Sequence, residues 1–233
     1  MTGKRFIGVV CGLKSEAAAV RAAARAPSIR IAVAGASAAR AEAMAMGLAR
    51  DGAAAILSVG VSGGLDPALR AGDLLLGALV LTKSGEEFTA TGSLLAALEL
   101  ESASTPMRRA TLFGADEIVA SARAKARLFE RYGAAAVDME SHGAARAARI
   151  ANIPFTAIRA VADPASRALP AAALNAIAPD GSAKTFSILM ECAKQPRDFP
   201  ALLRLGADSG AALKSLRGGL GGLFRRLSFS LDL

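Results

Sequence analysis

The chain has 233 residues, 53% of them hydrophobic and 21% charged, which suits one compact α/β domain with a full core. A net charge of +8 points to an anionic partner, but one Tyr, no Trp and 4% aromatics supply too few stacking platforms for single-stranded nucleic acid. No apolar run reaches the ~18 residues of a membrane span, and a single histidine, His142, leaves zinc sites and Ser-His-Asp triads improbable.

The start, "MTGKRFIGVVCGLKSEAAA", is basic and then apolar, but Lys14 and Glu16 arrive too early for a leader. It reads as a first strand, "RFIGVVCG", and a cytoplasmic location is expected. Cys11 and Cys192 make no CxxC pair and are expected to be reduced and buried. The helix "KSEAAAVRAAARA" follows, with Ser15 as its expected cap. The strand "IRIAVAG" leads to the helix "SAARAEAMAMGLARDG". "AAAILSVGVSGG" is a third strand running into a glycine-rich loop. "GDLLLGALVLT" is continuous and apolar, as a buried strand would be. "ASARAKARLFERYG" is a helix closed by Gly133. "AAAV" reads as a strand before Asp138, "SHGAARAARIAN" as a helix, and "PFTAIRAVAD" as the last central strand. This alternation predicts βαβ units. The expected fold is a three-layer α/β/α domain around a mixed, largely parallel sheet.

From about Pro196 the character changes. Leu202, Leu203, Leu205, Leu213, Leu216, Leu220, Leu223, Phe224 and Leu227 are interleaved with Arg204, Lys214, Arg217, Arg225 and Arg226. This reads as a basic amphipathic tail, 196–233, broken by Gly218, Gly219, Gly221 and Gly222, behind a domain of 1–195. It either packs on the domain, touches an anionic membrane surface or docks a partner.

Ligands of doubly wound sheets sit beyond the carboxyl ends of strands. Four features fall there: Glu16, the loop "GVSGGLD", Asp138-Met139-Glu140 and Asp163. Each has an ordinary reading. The glycines fit neither a dinucleotide nor a phosphate-loop fingerprint and suit a tight turn. Asp138 suits a helix cap, Glu16 a first-turn acid favoured by the helix dipole, and Asp163 a turn starter before Pro164. Their combination calls for a common explanation.

"VDMESHGAARAARIANIPFTAIRAVAD" resembles the nucleoside phosphorylase/nucleosidase superfamily, in particular the methylthioadenosine/adenosylhomocysteine nucleosidases. These have a Met-Glu pair opening a helix, here Met139-Glu140, and a strand ending Arg-Ala-x-x-Asp, here Arg159 to Asp163. "SVGVSGGLDPALRAGDLLLG" is similar to that superfamily's glycine loop and following strand, and "GLKSEAAAV" to its N-terminal glutamate, here Glu16. "VDMESH", "VADPASRALP", "PDG" and "FPALLRLGADS" together resemble the narrower family of hopanoid-associated phosphorylases, or adenosylhopane nucleosidases.

The resemblance implies removal of adenine from adenosylhopane, leaving ribosylhopane or its phosphate. It assigns Asp163 as the acid beside adenine N7 and Glu16 as the base for water. Glu140 would hold the ribose hydroxyls and Met139 would pack on the sugar. Ile118, Val119, Val61, Ser62 and Gly63 would also bind the substrate. Val61 stands where these nucleosidases commonly carry a serine, with Ser62 one residue on, and Ile118 where an aromatic usually stacks on adenine. Water and phosphate remain alternatives. Glu16 favours water; the family name and the anion candidates Arg40 and Arg159 favour phosphate. No cofactor or metal is expected, with inorganic phosphate a conceivable co-substrate. The expected partners are a lipid nucleoside, an anionic membrane surface met peripherally through the tail, and a second copy in a homo-oligomer, a dimer before others. Nucleic acid is not an expected partner. Two further readings are a soluble purine nucleosidase acting on methylthioadenosine-type substrates and a non-catalytic nucleoside- or lipid-binding protein.

Overall fold

The first strand, β1 (Phe6–Cys11), is buried along its whole length because its residues alternate between two cores. Ile7, Val9 and Cys11 face one, and Phe6 and Val10 the other. The computed structural model describes residues 5–24, 29–101, 106–174, 177–183 and 199–230. After β1 come α1 (Lys14–Ala23), β2 (Ile29–Val33), α2 (Ala38–Arg50), β3 (Ala53–Gly64), β4 (Leu74–Thr82), β5 (Glu87–Thr89) and α3 (Gly92–Glu101). Then follow β6 (Met107–Gly114), α4 (Ala122–Tyr132), β7 (Ala136–Asp138), α5 (Ser141–Ala151), β8 (Phe155–Asp163), α6 (Ala171–Leu174) and α7 (Phe199–Ser230).

The sheet is mixed and mostly parallel. β1 pairs in parallel with β2 and β3, and β3 with β8. β4 and β6, and β6 and β7, are also parallel, whereas β8–β4, β7–β3 and β4–β5 are antiparallel. The ladders β3–β8–β4–β6–β7 therefore return to β3, closing a ring that an open doubly wound sheet lacks. On one side lie α1, α3 and α7, contributing Val20, Leu94, Leu98, Leu216 and Leu220 to the core. On the other lie α2 and α5, contributing Ala41, Ala45, Leu48, Ala144 and Ala148. Alanines let these two helices approach closely. The result is the expected three-layer arrangement around a mixed, largely parallel sheet.

Several local expectations need correction. Ser15 does not cap α1: the helix begins at Lys14, Leu13 holds the cap position, and Glu16 reaches back to the Leu13 N–H at 2.8 Å. The glycines of "GVSGG" belong to β3, which runs through Gly64, so no glycine loop opens there. The described part of the tail, Phe199–Ser230, is one continuous helix despite its glycines. Each interior glycine costs about 1 kcal/mol relative to Ala. Burial of Ala212, Leu216, Leu220, Leu223 and Phe224 against α1 and β8 offsets that cost. Phe224 is 1% exposed and faces the core, so it is not a lipid-facing residue. The side chains of Arg225 and Arg226, the 195/196 boundary and Cys192 lie outside the described residues; Cys11 is a buried free thiol.

Candidate functional site

The polar end of the site is built around Glu16, Asp138, Glu140 and Arg159, all buried. β1 ends at Cys11 and the chain turns into α1. There the Glu16 carboxylate accepts the N–H groups of Gly12 and Leu13 (2.8 Å each) and, across the sheet, that of Val61 (2.7 Å). Gly60 makes this approach possible: a Cβ there would stand 2.7 Å from Glu16 Oε1 and 2.9 Å from Arg159 Nη1. Gly12 does the same for Glu140, whose Oε1 would meet a Cβ at 2.4 Å.

Asp138, at the end of β7, takes the Glu140 and Ser141 amides at 2.9 and 2.7 Å and the Ser141 hydroxyl at 2.8 Å. It orders the approach to α5 from two residues upstream; the cap position itself belongs to Glu140, so the expectation that Asp138 caps the helix needs correction. Arg159 projects from β8 into this group. Its Nη2 donates to Ser58 Oγ (2.7 Å), Ser141 Oγ (2.9 Å) and Asp138 Oδ1 (3.0 Å), and lies 3.7 Å from Glu140 Oε2. One cation thus stands beside two carboxyl groups, and its charge also acts on that of Glu16. Burial raises Glu16 from its ordinary value, opposed by the Val61 amide and Arg159. Burial pushes Glu140 up to about 8; Arg159 opposes this, while Glu16 and Asp138 add to it. Burial would also raise Asp138, but Arg159 and Ser141 bring it below the usual range. The cluster can therefore hold and move a proton near neutral pH.

At the other end stands Asp163, the last residue of β8. Burial raises its pKa, and Lys125 from α4 opposes the rise. Gly63 lies beside it, and a Cβ there would stand 3.3 Å from Asp163 Oδ2. Between the two ends lies a cavity of about 260 Å³. The nine residues that the resemblance assigns to catalysis or substrate line it: Glu16, Val61, Ser62, Gly63, Ile118, Val119, Met139, Glu140 and Asp163; the anion candidates Arg40 and Arg159 do not. Val61 contributes its backbone N–H to Glu16, while the Ser62 hydroxyl is directed at the Ala160 carbonyl (3.5 Å) rather than at Asp163. Arg40, an anion candidate, is exposed and spends Nε and Nη2 on the Ala34 and Gly35 carbonyls. It braces the turn after β2.

Other residues of the candidate site escaped the sequence reading. Lys125 looked like one more cation on an arginine-rich helix. Ser58 and Ser141 lie inside the stretches that carry the resemblance, but neither was assigned a role. Leu205 and Ser209 of α7 line the cavity, as do Leu13, Ala36, Leu169, Ala173 and Ile177, giving it an apolar outer wall. The turn from Ile177 to Ala183 is fastened over the β1–α1 junction by Lys14 N–H to Gly181 O (2.9 Å) and by the Lys14–Asp180 ion pair (2.5 Å). A ligand with a flat base, hydroxyls and an apolar extension would find, in turn, a carboxyl acid, a carboxylate cluster and an apolar wall.

Sequence comparison agrees with this architecture. Residues 20–194 match the Phosphorylase superfamily, and the chain belongs to that family. None of the curated proteins matches the sequence. Among solved structures, the fold is similar to futalosine hydrolase of Helicobacter pylori strain 26695, with a TM-score of 0.74 at 14% identity over 95% of this chain and 98% of that one. It is also similar to 5'-methylthioadenosine/S-adenosylhomocysteine nucleosidase of the same organism (TM-score 0.67, 16% identity, 94% and 98% covered). The enzyme of that name from Neisseria meningitidis gives a TM-score of 0.65 at 17% identity over 93% and 99% of the two chains.

Proposed function

We propose that this protein is a purine nucleosidase that cleaves the N-glycosidic bond of adenosylhopane, releasing adenine and leaving ribosylhopane. The observation that carries this reading is the placement of Asp163 and the Glu16–Glu140 pair on one cavity with Met139. Bond cleavage leaves positive charge on the sugar and negative charge on the base. Asp163 gives its proton to N7 of adenine as the electron pair of the C1'–N9 bond moves onto the base. Glu140 holds the ribose hydroxyls, and the carboxylate cluster favours the cationic sugar. Glu16 takes a proton from the water that adds to C1'. Acid and base have separate places, as in two-carboxylate glycosidases.

Water is the nucleophile in this proposal. A buried carboxylate at Glu16 repels phosphate, and Arg40 is committed to backbone carbonyls. The apolar outer wall, with Leu13, Ile177 and Leu205, supports a substrate extended by a hydrocarbon group. The similar structures named above favour a second reading, a nucleosidase for smaller methylthioadenosine-type nucleosides. No cofactor enters the scheme, and a homodimer is the assembly we propose. Reaction in oxygen-18 water tests the nucleophile: the label belongs on C1 of the sugar product. A phosphorylated, unlabelled sugar would make the enzyme a phosphorylase.

No helix among the described residues is long and apolar enough to cross a membrane. Contact with the lipid would be peripheral, on the cytoplasmic face. In α7, the helix that supplies Leu205 and Ser209, Phe199 and Leu203 are 53% and 60% exposed. These residues, rather than Phe224, are the proposed membrane-facing part of the tail.

A further inference from the structure

Lys125 is 0% exposed, and no role in the scheme above uses it. It stands in the first turn of α4, and its Nζ meets oxygens from one short stretch of chain. It donates to Asp163 Oδ2 in the closest of these contacts, to Pro164 O at 3.1 Å and to Arg167 O at 3.0 Å, with Asp163 O at 3.4 Å. A buried ammonium requires a counter-charge, and the only carboxylate it meets among the described residues is that of Asp163. The segment it grips follows β8 and is fastened twice more. Leu169 N–H donates to Ala120 O at 2.8 Å, and Arg167 pairs with Asp208 of α7.

Two carbonyls would be enough for a loop clasp. The contact to the carboxylate does something further. It occupies one oxygen, Oδ2, and Oδ1 takes no hydrogen bond from the described residues. Once an acid at this place has given up its proton, it becomes a buried carboxylate. Without a cation beside it that product is costly, and the proton is held back. Arg167 is the other cation acting on Asp163, and it is already paired with Asp208. Glu117, on the α4 side of the cavity, is exposed.

Resting on the nucleosidase reading, we propose that Lys125 is the positioning residue for the acid. Its ammonium fixes Oδ2 of Asp163, leaves Oδ1 to the base, and neutralises the carboxylate that remains when the proton passes to adenine. The proton that leaves Asp163 Oδ1 is carried away on N7, and the one that Glu16 takes from water balances it.

The test uses the full chain and a Lys125→Met variant, which keeps the length and removes the charge. In carboxyl carbon-13 spectra the Asp163 titration should move upwards by about one unit or more. Adenine release should fall by about tenfold or more, the change in acid strength that one unit carries. Hydrolysis of p-nitrophenyl riboside, whose leaving group needs no proton, should stay within about threefold, because Lys125 acts only through the acid. Equal loss on both substrates, or an unmoved Asp163 titration, would overturn the proposal. Should the variant not fold, the wild-type chain still decides. The nitrogen-15 resonance of Lys125 should follow the Asp163 titration and lose that inflection in Asp163→Asn; a resonance that ignores Asp163 contradicts the proposal. A wild type that releases no adenine sinks the nucleosidase reading itself. Release alongside an unmoved titration sinks only the role of Lys125.

Discussion

The Glu16 carboxylate accepts the backbone N–H of Val61 at 2.7 Å, across 45 residues of chain. That bond joins the first turn of α1 to β3, the strand whose later residues Ser62 and Gly63 line the cavity, Gly63 beside Asp163. It holds the proposed base in register with the rest of the site. Gly60, the residue before Val61, is what lets the carboxylate in.

Gly60→Ala should therefore act on chemistry more than on folding. The new Cβ would meet the ends of the Glu16 and Arg159 side chains, which can shift, not backbone. A displacement of about 1 Å in a catalytic group costs on the order of 10²-fold in rate. Glu16→Gln should match or exceed that loss. Steady-state kinetics beside far-ultraviolet circular dichroism checks both variants, and full activity in Gly60→Ala would contradict the assignment of Glu16.

Glu140 predicts how stability changes with pH. Its folded pKa of about 8 lies above the ordinary 4.5. A carboxyl with a raised folded pKa contributes stability that is fully present below the ordinary value and lost as pH rises through the folded one. At 1.36 kcal/mol per unit the full loss is at most about 5 kcal/mol. Glu140→Gln cannot ionise, so its stability relative to wild type should increase from about pH 5 to about pH 8 and level off above that. Urea titrations across that range measure it, and a constant difference would refute the buried-proton account.

The fold was legible where hydrophobic period and chain punctuation agreed. β1, β3, β4, β8 and α2 were readable from apolar runs and alanine-rich helices, and Gly133 ended α4 in the left-handed conformation (φ 61°). β6 was not legible because Arg108 and Arg109 interrupt its apolar pattern, with Arg108 reaching Asp66 at 2.5 Å. The candidate site was legible because its acids sit in motifs at strand ends. Lys125 was not, since nothing in "SARAKARLF" separates an inward lysine from the outward arginines around it. The glycines of the tail misled because their helical cost is local while the burial that offsets it is tertiary.

That burial makes α7 part of the core. Leu216→Ala should destabilise the protein by about 2–5 kcal/mol, the range for a buried leucine truncation. Leu216 is 1% exposed between α1 and the sheet. A change below about 0.5 kcal/mol, the usual range for surface substitutions, would show α7 to be a detachable tail.

Truncation from Pro196 is consequently a poor test of membrane contact, because it would strip the core. Substitution of Phe199 and Leu203 by Asp, both exposed, isolates the surface. The double variant should keep wild-type stability, lose sedimentation with anionic liposomes, and keep its rate on water-soluble adenine nucleosides. Undiminished sedimentation would remove these residues from the membrane reading.

The most direct measurement of the central claim is chromatographic detection of adenine released from adenosylhopane in detergent, with methylthioadenosine alongside and Asp163→Asn as the control. The account predicts release from adenosylhopane without phosphate, faster than from methylthioadenosine, and a loss of about 10²-fold or more in the variant, as expected for removal of a general acid. No adenine from either substrate, or undiminished release by Asp163→Asn, would contradict it.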